Sequence, residues 1–142
     1  MQPVNRASPV RALVPLSDSA LAGVQWINDI RELTVLDDAG YEMGRVADLV
    51  IDDLSHRLYF IVLRAAGVVL DGDERIIPVD AIRRRDRDRI WVDQDHEQVA
   101  AGPRYDRELI GDADYQAGVY GWYGLTPHWH PRYVSPPQWA RR

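Results

Sequence analysis

The stretch that decides the fold of this chain runs from Gly40 to Leu63 and reads GYEMGRVADLVIDDLSHRLYFIVL. Two apolar segments rich in β-branched residues flank a polar break that contains Asp52, Asp53 and His56. Apolar segments separated by a short polar break indicate a β-hairpin. We therefore predict that this hairpin forms the spine of a small β-barrel.

Both strands of the hairpin are expected to be buried on both faces. In the first strand, from about Met43 to Ile51, apolar and polar residues do not alternate, which indicates burial on two sides or a bulge. The second strand, from Leu58 to Ala65, is apolar at nearly every position. One of its faces can fill the barrel, and the other needs cover from a helix, a tail or another subunit. That second face carries Tyr59, Ile61 and Leu63.

The rest of the chain predicts a mainly β fold with a short C-terminal helical extension. Further strands are indicated at 33–36, 76–79 and 89–93. Because no crossover helices lie between the strands, we expect a small antiparallel barrel. Asp95 and Asp112 are suited to cap two short helices. We divide the chain into a flexible N-terminal arm at 1–12, a barrel domain at 13–94, and a helical and extended aromatic extension at 95–142.

Composition narrows the classes of function. The chain has 142 residues, no cysteine and a net charge of −5, and its 17 basic residues are all arginines. The lack of cysteine excludes disulfides and thiolate metal sites. The negative charge gives no general attraction to nucleic acid or anionic membranes. No segment approaches the ~20 apolar residues of a membrane span, and no signal peptide is recognisable. We expect a cytoplasmic protein.

A pattern of glycines, aspartates and apolar residues runs through the hairpin and continues in a later segment. Its members are Gly40, Gly44, Val46, Asp48, Leu49, Asp52, Leu58, Phe60, Ile61 and Val62, followed by Arg75–Ile82. Over roughly residues 13 to 93 this pattern resembles the PRC-barrel family. Pro103, Tyr105 and Asp106, followed by an aromatic helix, resemble the tail of its stand-alone members. The resemblance implies a small β-barrel, in agreement with the strand pattern.

The PRC-barrel family includes two domains whose roles differ. One is the cytoplasmic domain of the photosynthetic reaction centre H subunit. Likeness to it implies a non-enzymatic adaptor whose protein partner is a membrane electron-transfer complex, held at its cytoplasmic side. The protein would then be peripheral at the inner membrane. The other is the C-terminal domain of a ribosome-maturation factor, which implies the alternative of a ribosome- or RNA-associated factor.

The densest aromatic region of the sequence lies in the extension and supplies candidate partner contacts. Tyr115, Val119, Trp122 and Tyr123 fall on one predicted helical face, and Trp129 follows in the tail. Aromatic side chains are frequent at binding hot spots and as lids over apolar surfaces. We favour a lid that is exchanged between the two subunits of a homodimer. The candidate partner-binding residues are Tyr59, Ile61, Leu63, Tyr115, Trp122, Tyr123 and Trp129.

A run of arginines at 83–89 supplies the contact surface of the alternative function. The guanidinium groups that suit phosphate belong to Arg83, Arg84, Arg85 and Arg87. Asp86 and Asp88 alternate with them and cancel much of the positive field. This pattern favours a solvated hairpin tip with internal ion pairs. Nucleic acid is therefore the disfavoured partner.

Two groups of residues are candidates for a metal site. The first consists of Asp37, Asp38, Asp52 and Asp53. Carboxylates suit a hard cation, but these lie in separate turns, where aspartate bonds to nearby backbone. The second group, His128 and His130, lacks a third ligand nearby, and zinc needs at least three. We therefore predict turn chemistry for the aspartates, packing for the histidines, and no metal.

No reaction can be assigned from the residues. The sequence has no serine in a nucleophile elbow, no cysteine and no phosphate-binding loop. Its four histidines are spread over a turn, a short helix and the tail. We therefore expect a protein without catalytic activity and without a cofactor.

Overall fold

The structure is a computed structural model that describes residues 13–19, 22–23, 30–65 and 74–133. Residues 1–12, predicted to be an N-terminal arm, lie outside these ranges, as do residues 66–73 and residues 134–142 of the predicted extension. The described strands are β1 (Leu13–Pro15), β2 (Thr34–Leu36), β3 (Glu42–Asp52), β4 (Leu58–Ala65), β5 (Glu74–Pro78), β6 (Ile82–Arg85) and β7 (Arg89–Val92). The described helices are α1 (His96–Ala100) and α2 (Ala113–Trp122).

The strands form one curled sheet in the order β5-β4-β3-β2-β7-β6, with β1 paired to β3 beside this path. A single 3-10 turn at Val79–Ala81 joins β5 to β6. Because so short a link connects the two ends of the strand order, the sheet has to curl into a half-barrel. The predicted mainly β barrel fold is confirmed. One pair departs from the antiparallel prediction, since β2 and β7 run parallel.

The predicted spine is the hairpin of β3 and β4, which pair antiparallel from Gly44 to Ile51. The register shifts twice: Ala47 is the extra residue at the first shift, so β3 is bulged as its broken alternation predicts, and Tyr59 of β4 is the extra residue at the second. Gly40 adopts φ +88 in the preceding turn, a conformation that glycine reaches without steric cost. At the hairpin tip, Asp52 Oδ1 accepts hydrogen bonds from two backbone N–H groups of the turn.

The hydrophobic core lies inside the curl of the sheet and continues under the extension. Its largest fully buried side chains include Phe60 on β4, Ile76 on β5, Ile90 on β7 and Tyr120 on α2. Fully burying an apolar side chain of this size contributes about 1.5–3 kcal/mol relative to leaving it exposed. Because Tyr120 packs on Phe60 with ring centroids 5.3 Å apart, helix α2 shares one core with the sheet.

Candidate interaction surfaces

The apolar outer face of β4 is covered by this chain itself. Tyr59, Ile61 and Leu63 are only 5%, 0% and 2% exposed. The ring of His128, in the tail, lies against Tyr59 at a centroid distance of 4.4 Å. The strand needs cover, as its sequence predicts, but this chain buries the three side chains without a second subunit. Side chains that the chain already buries are not open to a partner.

The extension begins with two helices whose caps are those predicted. Asp95 Oδ2 accepts from the backbone N–H of Glu97 at 3.0 Å, which caps α1. Asp112 Oδ1 accepts from the N–H groups of Asp114 and Tyr115 and caps α2 in the same way. Such a cap contributes about 1 kcal/mol because it satisfies a donor that the helix leaves unpaired.

Helix α2 is rotated relative to the predicted apolar face. Its buried residues, Gln116, Val119 and Tyr120, together with Tyr123 beyond its end, follow a spacing of three and four. Trp122 therefore lies off the buried face, contrary to our prediction, and its side chain is 43% exposed. Gln116 takes a core position because its Nε2 donates to the carbonyl of Ile110 at 2.8 Å.

Trp122 is exposed but held in one orientation. Its Nε1 donates to the Gln98 carbonyl at 3.0 Å, and Gln98 Nε2 donates back to the Trp122 carbonyl at 3.1 Å. Gly102 allows the ring to approach, since a Cβ there would lie 2.8 Å from the indole nitrogen. The two helices thus clamp an aromatic side chain whose ring remains open to contact.

The other predicted aromatic contacts are largely structural. Tyr115 donates to the Arg104 carbonyl at 2.5 Å and accepts from the Asp106 N–H, while burial raises its pKa to about 12. Tyr123 is only 5% exposed. Trp129 is half-buried and packs edge-on against Tyr120 at 5.9 Å. Of the seven predicted partner contacts, Trp122 is the one with an exposed side chain.

The tail is fastened by a buried polar cluster around Asp80. Burial raises the pKa of Asp80, and a hydrogen bond from Tyr133 opposes that rise only in part. Nearby, the Tyr120 hydroxyl and His128 Nδ1 lie 3.1 Å apart. His130 Nδ1 instead accepts from the Arg132 N–H. His128 thus packs against the barrel as predicted, whereas His130 is exposed and bonds within its own turn.

The extension also covers one edge of the sheet. Residues Arg75 and Arg104 form an antiparallel bridge, the Tyr105 N–H donates to the Glu74 carbonyl at 2.8 Å, and the Ile76 N–H donates to the Pro103 carbonyl. The side chain of Arg75 donates from Nε and Nη2 to the Ala100 carbonyl at the end of α1. The outer edge of β5 is therefore paired by the chain's own extension.

The opposite edge of the sheet, formed by β6, pairs only with β7 among the described residues. The tip between β6 and β7 contains an internal ion pair, as the interspersed charges of the run 83–89 predict. Asp86 pairs with Arg89 at 2.8 Å, but no carboxylate of the described residues pairs with the arginines of the predicted phosphate surface. That set consists of Arg83, Arg84, Arg85 and Arg87, of which the first two are engaged by a carbonyl and an aromatic ring.

Two of the neighbouring arginines shield Trp91 on β7. The guanidinium carbon of Arg84 lies 3.9 Å from the centre of the indole ring, and that of Arg89 lies 5.0 Å from it. Trp91 is only 9% exposed, and the two guanidinium groups contribute to its cover. Arg83 reaches back to the Asp38 carbonyl at 3.2 Å. Stacking and hydrogen bonding thus orient two of the four arginines along β6.

Asp37, Asp95 and His96 form a group that the sequence did not reveal. Their ligand atoms lie within 4.8 Å of one another, and this is the one such group of three within the described residues. Asp37 Oδ1 accepts from the N–H groups of Ala39 and Tyr41, and Oδ2 accepts from the backbone and from Nδ1 of His96, 2.7 Å away. Asp37 Oδ2 and His96 Nδ1 are engaged with each other, so a metal ion that used these two atoms would displace the proton between them.

The hydrogen bonds of Asp37 change both its own pKa and the pKa of His96. Burial by itself raises the pKa of Asp37, but the bonds from His96, Tyr41 and Ala39 outweigh burial and lower it to about 2. The hydrogen bond to Asp37 raises the pKa of His96, aided by the charge of Asp95. The ring of Tyr41 stacks on the imidazole at 3.9 Å. This arrangement ties the end of β2 to the start of α1.

The acidic turns otherwise follow the predicted turn chemistry. Asp37 and Asp52 both accept backbone N–H groups within their own turns. The four aspartates that the sequence offered as a cation site do not come together as a ligand group in the described part of the chain. The Asp37–His96 contact spans 59 residues, so only a three-dimensional fold brings it together.

Comparison with known proteins assigns the family. The sequence matches the PRC-barrel domain over residues 26–99, which is more than half of the chain and includes β2 to β7. A search of curated proteins found no significant match. Neither described helix has the length and apolar character that a membrane span requires. The match confirms the resemblance that the glycine and aspartate pattern indicated, and the chain belongs to the PRC-barrel domain family.

Proposed function

We propose that this protein is a non-catalytic interaction module that presents a fixed aromatic anchor to a protein partner. The observation that carries the proposal is Trp122, which is 43% exposed and held by reciprocal hydrogen bonds with Gln98. Tryptophan is enriched among the residues that dominate binding energy. Because the ring is already ordered, binding costs less conformational entropy than it would for a free side chain.

The partner we propose is a membrane electron-transfer complex, bound at its cytoplasmic side. This assignment rests on the likeness to the H subunit of photosynthetic reaction centres, whose cytoplasmic domain belongs to the same family. The anchor would make a mainly apolar contact, and such contacts weaken little with salt. The family match supports a barrel module without catalysis.

Pull-down from the native cell at two salt concentrations, scored by mass spectrometry, tests the proposal. We expect electron-transfer subunits to survive high salt with the wild type and to be lost with Trp122→Ala. Leu109→Ala is the matched control, because Leu109 lies in the same extension and is also 43% exposed. Equal capture by both variants would contradict the assignment of the anchor, and capture of no electron-transfer subunit would contradict the proposed partner.

The alternative function, a ribosome- or RNA-associated factor, draws on the arginines at 83–87. Because they lack carboxylate partners among the described residues, they remain available to phosphate. Phosphate contacts are strongly salt-dependent. Ribosomal components that are captured at low salt and lost at high salt would favour this alternative.

The homodimer remains a prediction, but its contacts would differ from those that the sequence indicated. The β4 side chains that were to form it are buried, so a dimer would have to use Trp122 or another exposed group. Sedimentation of the wild type and of Trp122→Ala decides this. A concentration-dependent dimer that the substitution abolishes would make self-assembly the use of the anchor.

A further inference from the structure

We propose that the outer edge of β6 is the docking site for an extended acidic segment of a partner protein, added to the sheet as a further strand. Its carboxylates would meet the guanidinium groups of Arg85 and Arg87. This inference rests on the proposed interaction function and names a second contact with the partner, separate from the anchor at Trp122.

The backbone of β6 is the first part of the argument. Strand β6 pairs with β7 on one side, and the described residues supply no strand on the other. Arg83 and Arg84 are exposed, while Ile82 is buried and Arg85 is partly buried. An unpaired strand edge presents N–H and C=O groups that an extended peptide can complete. The equivalent edge of β5 is already filled by residues 103–105.

The charge along β6 is the second part of the argument. Asp86 is engaged by Arg89 through Nε and Nη2, at 3.1 and 2.8 Å from Oδ2, so this acid does not neutralise the arginines of β6. Arg83 and Arg84 are turned toward β7 by the Asp38 carbonyl and the face of Trp91, so Arg85 on β6 and Arg87 in the turn after it supply the charge at the edge. Planar guanidinium forks of this kind bind carboxylates in bidentate pairs. An edge lined by such groups is complementary to a strand that carries Glu or Asp.

The same features exclude other occupants of the edge. A second copy of β6 would place like charges side by side, which is unfavourable. The terminal segments 1–12 and 134–142 contain arginines and no acidic residue, so neither supplies the negative charge. RNA has no backbone that completes a β-ladder, and the net charge of −5 gives no long-range attraction to it. An acidic protein segment uses both the edge and the charge.

The test is a fluorescence-anisotropy titration of the full chain with three labelled probes. These are an alternating Glu-Val peptide, the matched Gln-Val peptide and a uridine oligonucleotide. We expect the Glu-Val peptide to bind at least tenfold more tightly than either other probe. The double variant Arg85→Glu with Arg87→Glu should weaken it at least tenfold. The double variant Arg104→Glu with Arg132→Glu, which changes net charge equally on exposed residues of the extension, should not.

Strand addition is tested by N-methylation of alternate residues of the Glu-Val peptide, which removes backbone donors and keeps the charge. We expect binding to be abolished when the methylated residues are those whose N–H groups face β6. Equal binding of the methylated and unmethylated peptides would overturn the strand geometry. Tighter binding of the oligonucleotide would overturn the choice of an acidic peptide and favour RNA.

The outcome separates this inference from the proposed function. If Trp122→Ala abolishes capture of the native partner while the Arg85 and Arg87 variant keeps it, the interaction function stands and the docking edge is wrong. If the Glu-Val peptide binds β6 but no partner protein is captured from cells, the edge stands as a binding site and the proposed function fails.

Discussion

The two edges of the curled sheet are treated in opposite ways. At β5, the segment 103–105 pairs with the strand, and the guanidinium group of Arg75 donates hydrogen bonds to the Ala100 carbonyl. At β6, arginines again line the strand, but none of them has a carboxylate partner among the described residues. The contrast shows that the extension belongs to the architecture at one edge, while the described residues leave the other edge without a further strand.

The difference has a physical basis in what each edge exposes. Next to β5 the core continues under α2, so cover by the extension buries apolar surface as well as backbone groups. Next to β6 the outer face holds Trp91, which is already shielded by Arg84 and Arg89. Charged side chains on an edge strand oppose edge-to-edge aggregation, so such an edge can remain exposed to solvent without a further strand paired to it.

The largest expected effect comes from removing the core contact of the extension. We predict that Tyr120→Ala lowers the free energy of unfolding by about 3–5 kcal/mol, the range found for truncation of a buried aromatic side chain. Tyr120 is fully buried and packs on Phe60, so the loss would show that α2 is part of the barrel core. Urea denaturation followed by far-UV circular dichroism measures it.

A control for Tyr120→Ala is Leu54→Ala, since Leu54 is an exposed apolar residue at the β3–β4 tip. We expect that variant to unfold within about 0.5 kcal/mol of the wild type. A loss below about 1 kcal/mol for Tyr120→Ala would mean that the extension is peripheral, and the contrast between the two edges would collapse.

The next effect concerns the link between β2 and the start of the extension. We predict that Asp37→Asn lowers stability at neutral pH by about 2 kcal/mol, the equivalent of the shift in the pKa of Asp37 from 3.8 to about 2. Unfolding by urea as a function of pH measures this contribution. Asp38→Asn, an exposed neighbour in the same turn, is the matched control and should change little.

The sign of the pH dependence follows from the two shifts at this site. Because the folded pKa of Asp37 is depressed, its contribution is complete above the ordinary value of 3.8 and is lost as the pH falls toward about 2. Because the folded pKa of His96 is raised, its contribution is present below 6.5 and is lost as the pH rises through the raised value. Asp37→Asn should flatten both limbs, and a variant that keeps them would refute the role of this pair.

The smallest effect compares one arginine from each edge. We predict that Arg75→Ala costs about 1 kcal/mol of stability, because it removes two hydrogen bonds to Ala100. Arg85→Ala should leave stability within about 0.5 kcal/mol of the wild type and weaken binding of the acidic peptide. Thermal unfolding and anisotropy on both variants give the comparison. Equal loss of stability at the two positions would mean that both edges are structural.

Most of the fold could be predicted from local patterns in the sequence. The spine hairpin, the bulge in β3, the positive φ of Gly40 and the caps at Asp95 and Asp112 all follow from neighbouring residues, so the sequence could predict them. The glycine and aspartate spacing also indicated the family. Strand β4 was correctly expected to need cover on both faces.

The remainder depends on contacts between distant residues. The sequence could not show whether a partner or the tail covers Tyr59, because either kind of cover requires the same apolar pattern on β4. The parallel pairing of β2 with β7 and the approach of His96 to Asp37 result from the curl of the sheet. The exposure of Trp122 depends on a small rotation of α2, and the two glycines in that helix obscure its apolar face in the sequence.

Backbone hydrogen exchange of the free protein tests the contrast between the two edges most directly. The Ile76 and Tyr105 amides, which join β5 to the segment 103–105, should be protected. The β6 amides that do not bond to β7 should exchange quickly and become protected only when the acidic peptide is added. Protection of all β6 amides in the free protein, or fast exchange at Ile76, would contradict the account.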